Sequence, residues 1–195
     1  MLGVTLLARF ADREALMPEI DRVAVDAAFR HMRTPGGREM SAAMTNCGPL
    51  GWVSDRQGYR YQAFDPMTHR PWPQMPASFM GLAQRAAATC GFDAFLPDAC
   101  LINRYASGAQ MGAHQDKDEA DFAQPIVSVS LGRPATFLVY GAKRSGKPRS
   151  IPLQDGDVLV IGNEARLMYH GVRKPDPGRG EFGDYRFNLT FRRAR

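Results

Sequence analysis

Cysteine is scarce in this chain of 195 residues: only Cys47, Cys90 and Cys100 occur. The number is odd and no pair has Cys-x-x-Cys spacing. A zinc ribbon needs such pairs and a disulfide scaffold needs an even set, so neither is expected. A reducing, cytoplasmic setting is the simplest reading. No apolar run approaches the roughly 18 residues that read as a membrane-spanning helix. Met1 to Phe10 is apolar but short, without a basic start or a cleavage site, so no signal peptide is expected. Internal repeats, low-complexity stretches and domain linkers are also missing, which leaves a single domain over 1–195. Excess charge is small: 25 Lys and Arg stand against 20 Asp and Glu, a net +5 with a sequence pI near 9.4. That balance is compatible with a polyanionic partner and does not by itself establish one.

What is present divides along the chain. Val4 to Leu7 reads as a short strand. Asp12 can cap a helix in which Ala15, Leu16, Ile20, Val23 and Ala24 recur at helical spacing. From about 30 to 76 glycines, prolines and large side chains mix, among them Met40, Met44, Trp52, Tyr59, Tyr61 and Trp72. This stretch predicts strands and loops forming a cover with its aromatic residues inward. Ser78 is expected to cap a second helix running to about Thr89, ended by Gly91. After Asp98 short β runs follow closely: Cys100 to Tyr105, Ile126 to Leu131, Thr136 to Tyr140, Ser150 to Leu153, Val158 to Ile161 and Arg186 to Arg192. Turn signals separate them and no helical run intervenes, so a double-sheet barrel or jelly roll is expected rather than a βαβ fold.

The chemistry begins at His114 and Asp116. Two residues apart on an extended segment, they point to one face. An imidazole and a carboxylate are two of the three ligands of a facial triad, which leaves positions open on iron(II). Of the remaining histidines, His31 and His69 fall in loop-like surroundings before the β region. His170, in Tyr169-His170-Gly171, is the natural third ligand. Alone, a His-x-Asp pair also fits an ordinary surface pair. The run 186–192 carries Arg186, Asn188, Thr190 and Arg192 on one face and Phe187, Leu189 and Phe191 on the other. Two arginines on one strand suit a dicarboxylate, and an exposed basic edge strand is the alternative. Asn103 and Tyr105 add an amide and a phenol on a strand just upstream of His114.

These blocks, Asn103-Arg104-Tyr105, His114-Gln115-Asp116-Lys117-Asp118-Glu119, His170 and Arg186-x-Asn188-x-x-x-Arg192, resemble those of the bacterial AlkB nucleic-acid demethylases. So do Thr34-Pro35-Gly36-Gly37, Met44-Thr45-Asn46-Cys47-Gly48 and Gly51-Trp52 in the cover. The resemblance spans roughly Phe29 to Arg192.

It implies a mainly β chain with flanking helices: a double-stranded β-helix (jelly-roll) core over about 98–195 and an N-terminal nucleotide-recognition lid over about 30–76. It implies iron(II) held by His114, Asp116 and His170, with 2-oxoglutarate contacted by Asn103, Tyr105, Arg186, Asn188 and Arg192, and dioxygen as oxidant. Met44, Trp52, Tyr59, Arg60, Tyr61, Asp118 and Arg144 would contact the substrate. The expected reaction is oxidative demethylation of bases such as 1-methyladenine and 3-methylcytosine in DNA, single strands preferred, releasing formaldehyde, succinate and carbon dioxide. RNA, tRNA or protein substrates are the alternative, and a monomer away from membranes is expected. An extruded or single-stranded base needs an aromatic face in place of its stack, which suits Trp52. Such methylated bases are cationic, which suits Asp118, and a basic turn around Arg144 suits phosphate. The chain departs from the family pattern at Ile161, where a tryptophan often stands, and at Gly112-Ala113, which is smaller than usual.

Overall fold

A computed structural model of the chain describes residues 3–174 and 183–195. Strand β1 (Val4–Leu7) leads to helix α1 (Arg13–Asp26), then β2 (Arg30–Arg33), β3 (Glu39–Cys47), β4 (Gly51–Asp55) and β5 (Gly58–Gln62). Helix α2 (Ala77–Thr89) precedes β6 (Ala99–Tyr105), β7 (Met111–His114), β8 (Ile126–Gly132), β9 (Ala135–Gly141) and β10 (Arg149–Leu153). The chain closes with β11 (Val158–Ile161), β12 (Tyr169–Val172) and β13 (Arg186–Arg192). Seven strands form the major sheet in the order β1-β11-β8-β13-β6-β3-β2, four form the minor sheet as β10-β9-β12-β7, and β4-β5 is a separate hairpin. Two facing sheets of this kind make the jelly roll expected from the strand spacing. Among the described residues, no helix is long and apolar enough to cross a membrane.

Alternation along the strands sorts residues between two cores. Val127, Val129 and Leu131 of β8, with Val158 and Val160 of β11, face the helices, while Ile126, Leu159 and Ile161 face the minor sheet. Helix α1 docks through Leu16, Ile20 and Val23, and α2 through Phe79, Leu82, Ala83, Ala86 and Ala87. The alanines let α2 lie close to the sheet. Asp12 caps α1 by accepting from the Glu14 N–H at 3.0 Å, as its sequence position predicts.

Three local expectations are corrected. Helix α2 begins at Ala77 with Pro76 as N-cap, not at Ser78. Proline holds an extended backbone into the first turn and supplies no side-chain cap. His31 sits in strand β2, its Nδ1 2.8 Å from the Met40 carbonyl, rather than in a loop. The run 186–192 is no edge strand: β13 lies between β8 and β6, bonded along its length to both. Its polar side chains are therefore buried, which removes the exposed-edge reading.

Candidate active site

The metal-ligating candidates come from two strands and the loop after one of them. His114 ends β7, and its Cα partner across the ladder is His170 of β12. Their rings lie 4.5 Å apart, centre to centre. Gly171 makes this pairing close: a Cβ there would sit 2.7 Å from the Met111 carbonyl oxygen. Nδ1 of His114 is 2.8 Å from the Gly112 carbonyl and Nδ1 of His170 is 3.0 Å from the Met168 carbonyl. A carbonyl only accepts, so each Nδ1 carries the hydrogen and each Nε2 offers a lone pair. Asp116 brings Oδ1 to 3.6 Å from His114 Nε2 and Oδ2 to 3.8 Å from His170 Nε2. All three ligand atoms fall within 4.8 Å of one another. Two imidazoles and one carboxylate, gathered this closely, fit an iron(II) facial triad.

Electrostatics keep these groups in ligating form. Burial pushes His170 down to about 4, and His114 beside it acts in the same direction, so its imidazole is neutral near pH 7. Burial alone would raise the Asp116 carboxyl, but Arg192, His170 and His114 together hold it well below the usual range. Arg192 donates to Asp116 Oδ2 from Nη2 at 2.7 Å and from Nε at 3.2 Å.

Beside the triad lies a polar ladder inside the jelly roll. Cα register sets Arg186 opposite Tyr105 and Asn188 opposite Asn103 on β6, and Asn188 opposite Ser130 on β8. Asn188 Nδ2 donates to Ser128 Oγ and the Val129 carbonyl, and Thr190 Oγ1 donates to Asn188 Oδ1. Arg186 is 1% exposed, and its Nη2 donates to Ser130 Oγ at 2.9 Å. Its Nε and Nη1 are buried without a hydrogen-bond partner, as is Asn103 Oδ1. Two orphaned guanidinium N–H groups are what a bound carboxylate would satisfy, so the donor set fits a dicarboxylate such as 2-oxoglutarate. Ser128 and Ser130 were missed in the sequence. They alternate with Val127, Val129 and Leu131, and that period was available to find them.

A cavity of about 770 Å³ joins these groups to the cover. Met44, Trp52, Tyr59, Tyr61, Asp118 and Arg144 line it together with the triad, Asn103, Tyr105, Arg186, Asn188 and Arg192. The Trp52 ring stacks on Tyr59 at 5.6 Å and 13°, and its Nε1 donates to Asp118 Oδ2 at 2.8 Å. Tyr61 is buried, and its hydroxyl donates to Glu119 at 2.6 Å. Arg60 is not among the lining residues. It alternates to the other face of β5 and pairs with Asp55 at 2.8 Å. Gly51 leaves room for the Trp72 ring beneath the hairpin, since a Cβ would come within 2.3 Å of it. Ile161 lines the cavity within the core between the sheets, and space for a Cβ at Gly112 is open to at least 4 Å.

The chain is similar to known proteins. The family model of the 2OG-Fe(II) oxygenase superfamily matches residues 3–192. Alpha-ketoglutarate-dependent dioxygenase AlkB of Escherichia coli is 53% identical over 98% of this chain and 90% of its own length. Human nucleic acid dioxygenase ALKBH1 is 31% identical over 66% of this chain and 33% of its own length. The solved structure of OsALKBH1 superposes with a TM-score of 0.84 at 26% identity, covering 98% of this chain and 96% of that one. This chain therefore belongs to the AlkB family of iron(II)- and 2-oxoglutarate-dependent dioxygenases.

Proposed function

We propose that this dioxygenase oxidatively demethylates N-alkylated bases in nucleic acid, with single-stranded DNA carrying 1-methyladenine or 3-methylcytosine as its preferred substrate. One observation carries the reading: a single cavity holds the His-Asp-His cluster, the orphaned Arg186 and, at its cover, Trp52 beside Asp118. The human relative is a nucleic acid dioxygenase, which supports a nucleic-acid substrate here. When bound, iron(II) with 2-oxoglutarate supplies dioxygen activation: 2-oxoglutarate becomes succinate and carbon dioxide, and the N-methyl group leaves as formaldehyde.

The residues supply binding and position. His114, Asp116 and His170 hold the metal on one side of the cavity. Arg186 takes one carboxylate of the cosubstrate with two N–H groups, and Arg192, Asn103, Tyr105 and Asn188 fix the remainder. Trp52 offers its face to an unstacked base. Asp118 favours a ring that carries positive charge over its neutral parent, because an unlike charge a few ångströms away in a site of low dielectric is worth several kcal/mol more than in water. Arg144 at the rim takes a phosphate. The β4–β5 hairpin acts as the nucleotide cover, with the Trp52–Asp118 bond joining it to the loop after β7. Cys47, Cys90 and Cys100, all free thiols, support a reducing cytoplasmic setting.

The test is formaldehyde release from single-stranded DNA carrying 1-methyladenine, from its RNA counterpart and from methylated tRNA, each with and without iron(II). Iron-dependent release from the DNA at the highest rate is expected. No formaldehyde from any of the three overturns the proposal.

A further inference from the structure

Glu119 lines the cavity and accepts from Tyr61, yet has been given no binding role so far. It is not a member of the metal cluster, yet its side chain is 2% exposed. It sits where three elements meet. From the cover, the Tyr61 hydroxyl donates to its Oε1 at 2.6 Å. From the turn at 163–166, Arg166 Nη2 donates to its Oε2 at 3.0 Å. From β13, Arg192 Nε lies 3.3 Å from its Oε1. Both arginines also reach Asp116. Arg192 Nη2 holds the carboxylate oxygen Oδ2 at 2.7 Å, and Arg166 Nη1 holds the backbone carbonyl at 2.7 Å. Arg166 Nε fixes the far end of the same loop at the Gln124 carbonyl. Two polar routes thus run from a hydroxyl on the cover to Asp116: through Arg192 to its carboxylate, and through Arg166 to its backbone carbonyl.

The cover meets this loop twice, side by side. Trp52 and Tyr61 are Cα partners across the hairpin, and they bond to the adjacent acids Asp118 and Glu119. A base entering against Trp52 acts on the first contact. The second is more deeply buried, with Tyr61 7% exposed and its hydroxyl held by Glu119. Within the buried cluster, Asp116 and Glu119 balance Arg166 and Arg192, so neither acid has charge to spare. If Tyr61 leaves, Glu119 keeps only its arginines, and the pull on Arg192 shifts from two-sided sharing toward Glu119. Arg192 then holds Asp116 Oδ2 less firmly, and the cosubstrate meets a different guanidinium position.

We infer that Glu119 is a positioning residue: seated by Tyr61 of the β4–β5 cover, it sets Arg192, and through Arg192 the Asp116 carboxylate and the cosubstrate end of the cavity. The inference rests on the assignment of the triad to metal and of Arg192 to 2-oxoglutarate. Linkage makes the coupling reciprocal, so filling the site must also seat the cover.

The experiment measures hydrogen–deuterium exchange of residues 51–62 in the whole chain, with and without manganese(II), as a redox-inert stand-in for iron(II), plus 2-oxoglutarate. Binding is followed by titration in the same samples. The wild-type hairpin is expected to exchange at least about fivefold more slowly when both are bound, the low end of ordinary coupling between sites. Tyr61→Phe removes the hydroxyl but keeps all four buried charges, and Glu119→Gln removes the carboxylate. Both variants are expected to lose that ligand-induced slowing and to bind 2-oxoglutarate about fivefold or more weakly. A purely structural Glu119, there only to neutralise two arginines, would leave Tyr61→Phe with full slowing and wild-type affinity. That result overturns the inference, as does a wild-type protein that binds both ligands without slowing the hairpin. A wild-type protein that binds neither overturns the site assignment itself. If Glu119→Gln does not fold, Tyr61→Phe decides alone.

Discussion

Replacing Arg186 with methionine should stabilise the ligand-free protein and cripple cosubstrate binding at the same time. The guanidinium is 1% exposed; it donates to Ser130 and is held by the Tyr105 hydroxyl, and no carboxylate meets its buried Nε and Nη1. The Tyr105 ring lies 5.1 Å away, close enough for a modest cation–π attraction. Burial pushes the guanidinium below its ordinary pKa even with Tyr105 beside it, the mark of a cation held without a counter-charge. Exchanging a buried ion for an apolar side chain of similar length is often stabilising, and about 1–2 kcal/mol is expected here. The same exchange removes a desolvated bidentate partner from a carboxylate, a loss of about 3 kcal/mol, or about a hundredfold in Kd for 2-oxoglutarate. Urea unfolding with manganese(II) present, with and without cosubstrate, reads both effects. At a cosubstrate concentration about a hundredfold above the wild-type Kd, the wild type gains about 2.7 kcal/mol. The variant, then near its own Kd, gains about 0.4 kcal/mol. A variant that is less stable without ligand yet keeps the full ligand increment would refute the reasoning, because the orphaned N–H groups would then have had a partner other than the cosubstrate.

Trp52→Ala should weaken binding of a methylated oligonucleotide by about 1–3 kcal/mol, the worth of one base–aromatic stack, while 2-oxoglutarate affinity stays at the wild-type value. Equal loss of both, measured by two titrations, would contradict the separation of roles. Gly171→Ala places a Cβ 2.7 Å from the Met111 carbonyl oxygen, so β7 must shift away from β12. Manganese(II) affinity should fall at least about tenfold, since a shift of even about 1 Å in a positioned group is costly, with circular dichroism unchanged. His170 gives the metal-free protein a pH dependence of definite sign. Its folded pKa of about 4 lies below its ordinary 6.5, so between these values the unfolded chain binds a proton that the folded chain refuses. Stability is full above about pH 6.5 and falls by about 3 kcal/mol as pH drops toward 4. His170→Asn should flatten that limb of a urea-midpoint profile, and an unchanged slope would rule out His170 as its source.

The parts of the site legible in the sequence are those written in a period of two. Arg186, Asn188, Thr190 and Arg192 share a face because β13 is a regular strand, and the same rule brings His114 and Asp116 to one side. What the period does not tell is which neighbours a strand has. Burial of that polar face comes from β6 and β8, whose contacts with β13 span 56 to 85 residues of sequence. Sequence patterning therefore left an exposed edge as an open alternative. His170 was found by elimination rather than by its strand, since β12 is four residues long and contains a glycine that only the close approach of Met111 explains. Glu119 falls in the block 114–119 without a role of its own, and Arg166 had no signal at all. They lie in a loop and a short turn 47 residues apart, without periodicity, and only the fold makes them partners. Pro76 displaced the expected Ser78 cap for a local reason, the fixed backbone of proline outranking a side-chain acceptor two residues later.

Charge placement explains how one cavity can take two ligands of opposite sign without confusing them. The carboxylates and guanidiniums nearest the metal candidates compensate each other: Asp116 and Glu119 against Arg166 and Arg192. Among the described residues of the β13 ladder, that leaves Arg186 as the fully buried guanidinium without a carboxylate partner. Asp118 lies instead under the cover, its carboxylate held by the Trp52 indole rather than by a cation. A neutral donor leaves the negative charge of Asp118 in place, as the proposed attraction of a cationic base requires, whereas an arginine there would cancel it. A dianion in turn gains little beside Asp118 and most beside Arg186. The fold achieves this sorting by using strand register to keep Arg186 away from every carboxylate that pairs with its neighbour Arg192, six residues along the same face. Moving one acid onto that face within reach of Arg186 would leave every metal ligand intact and still abolish the preference for a dianion.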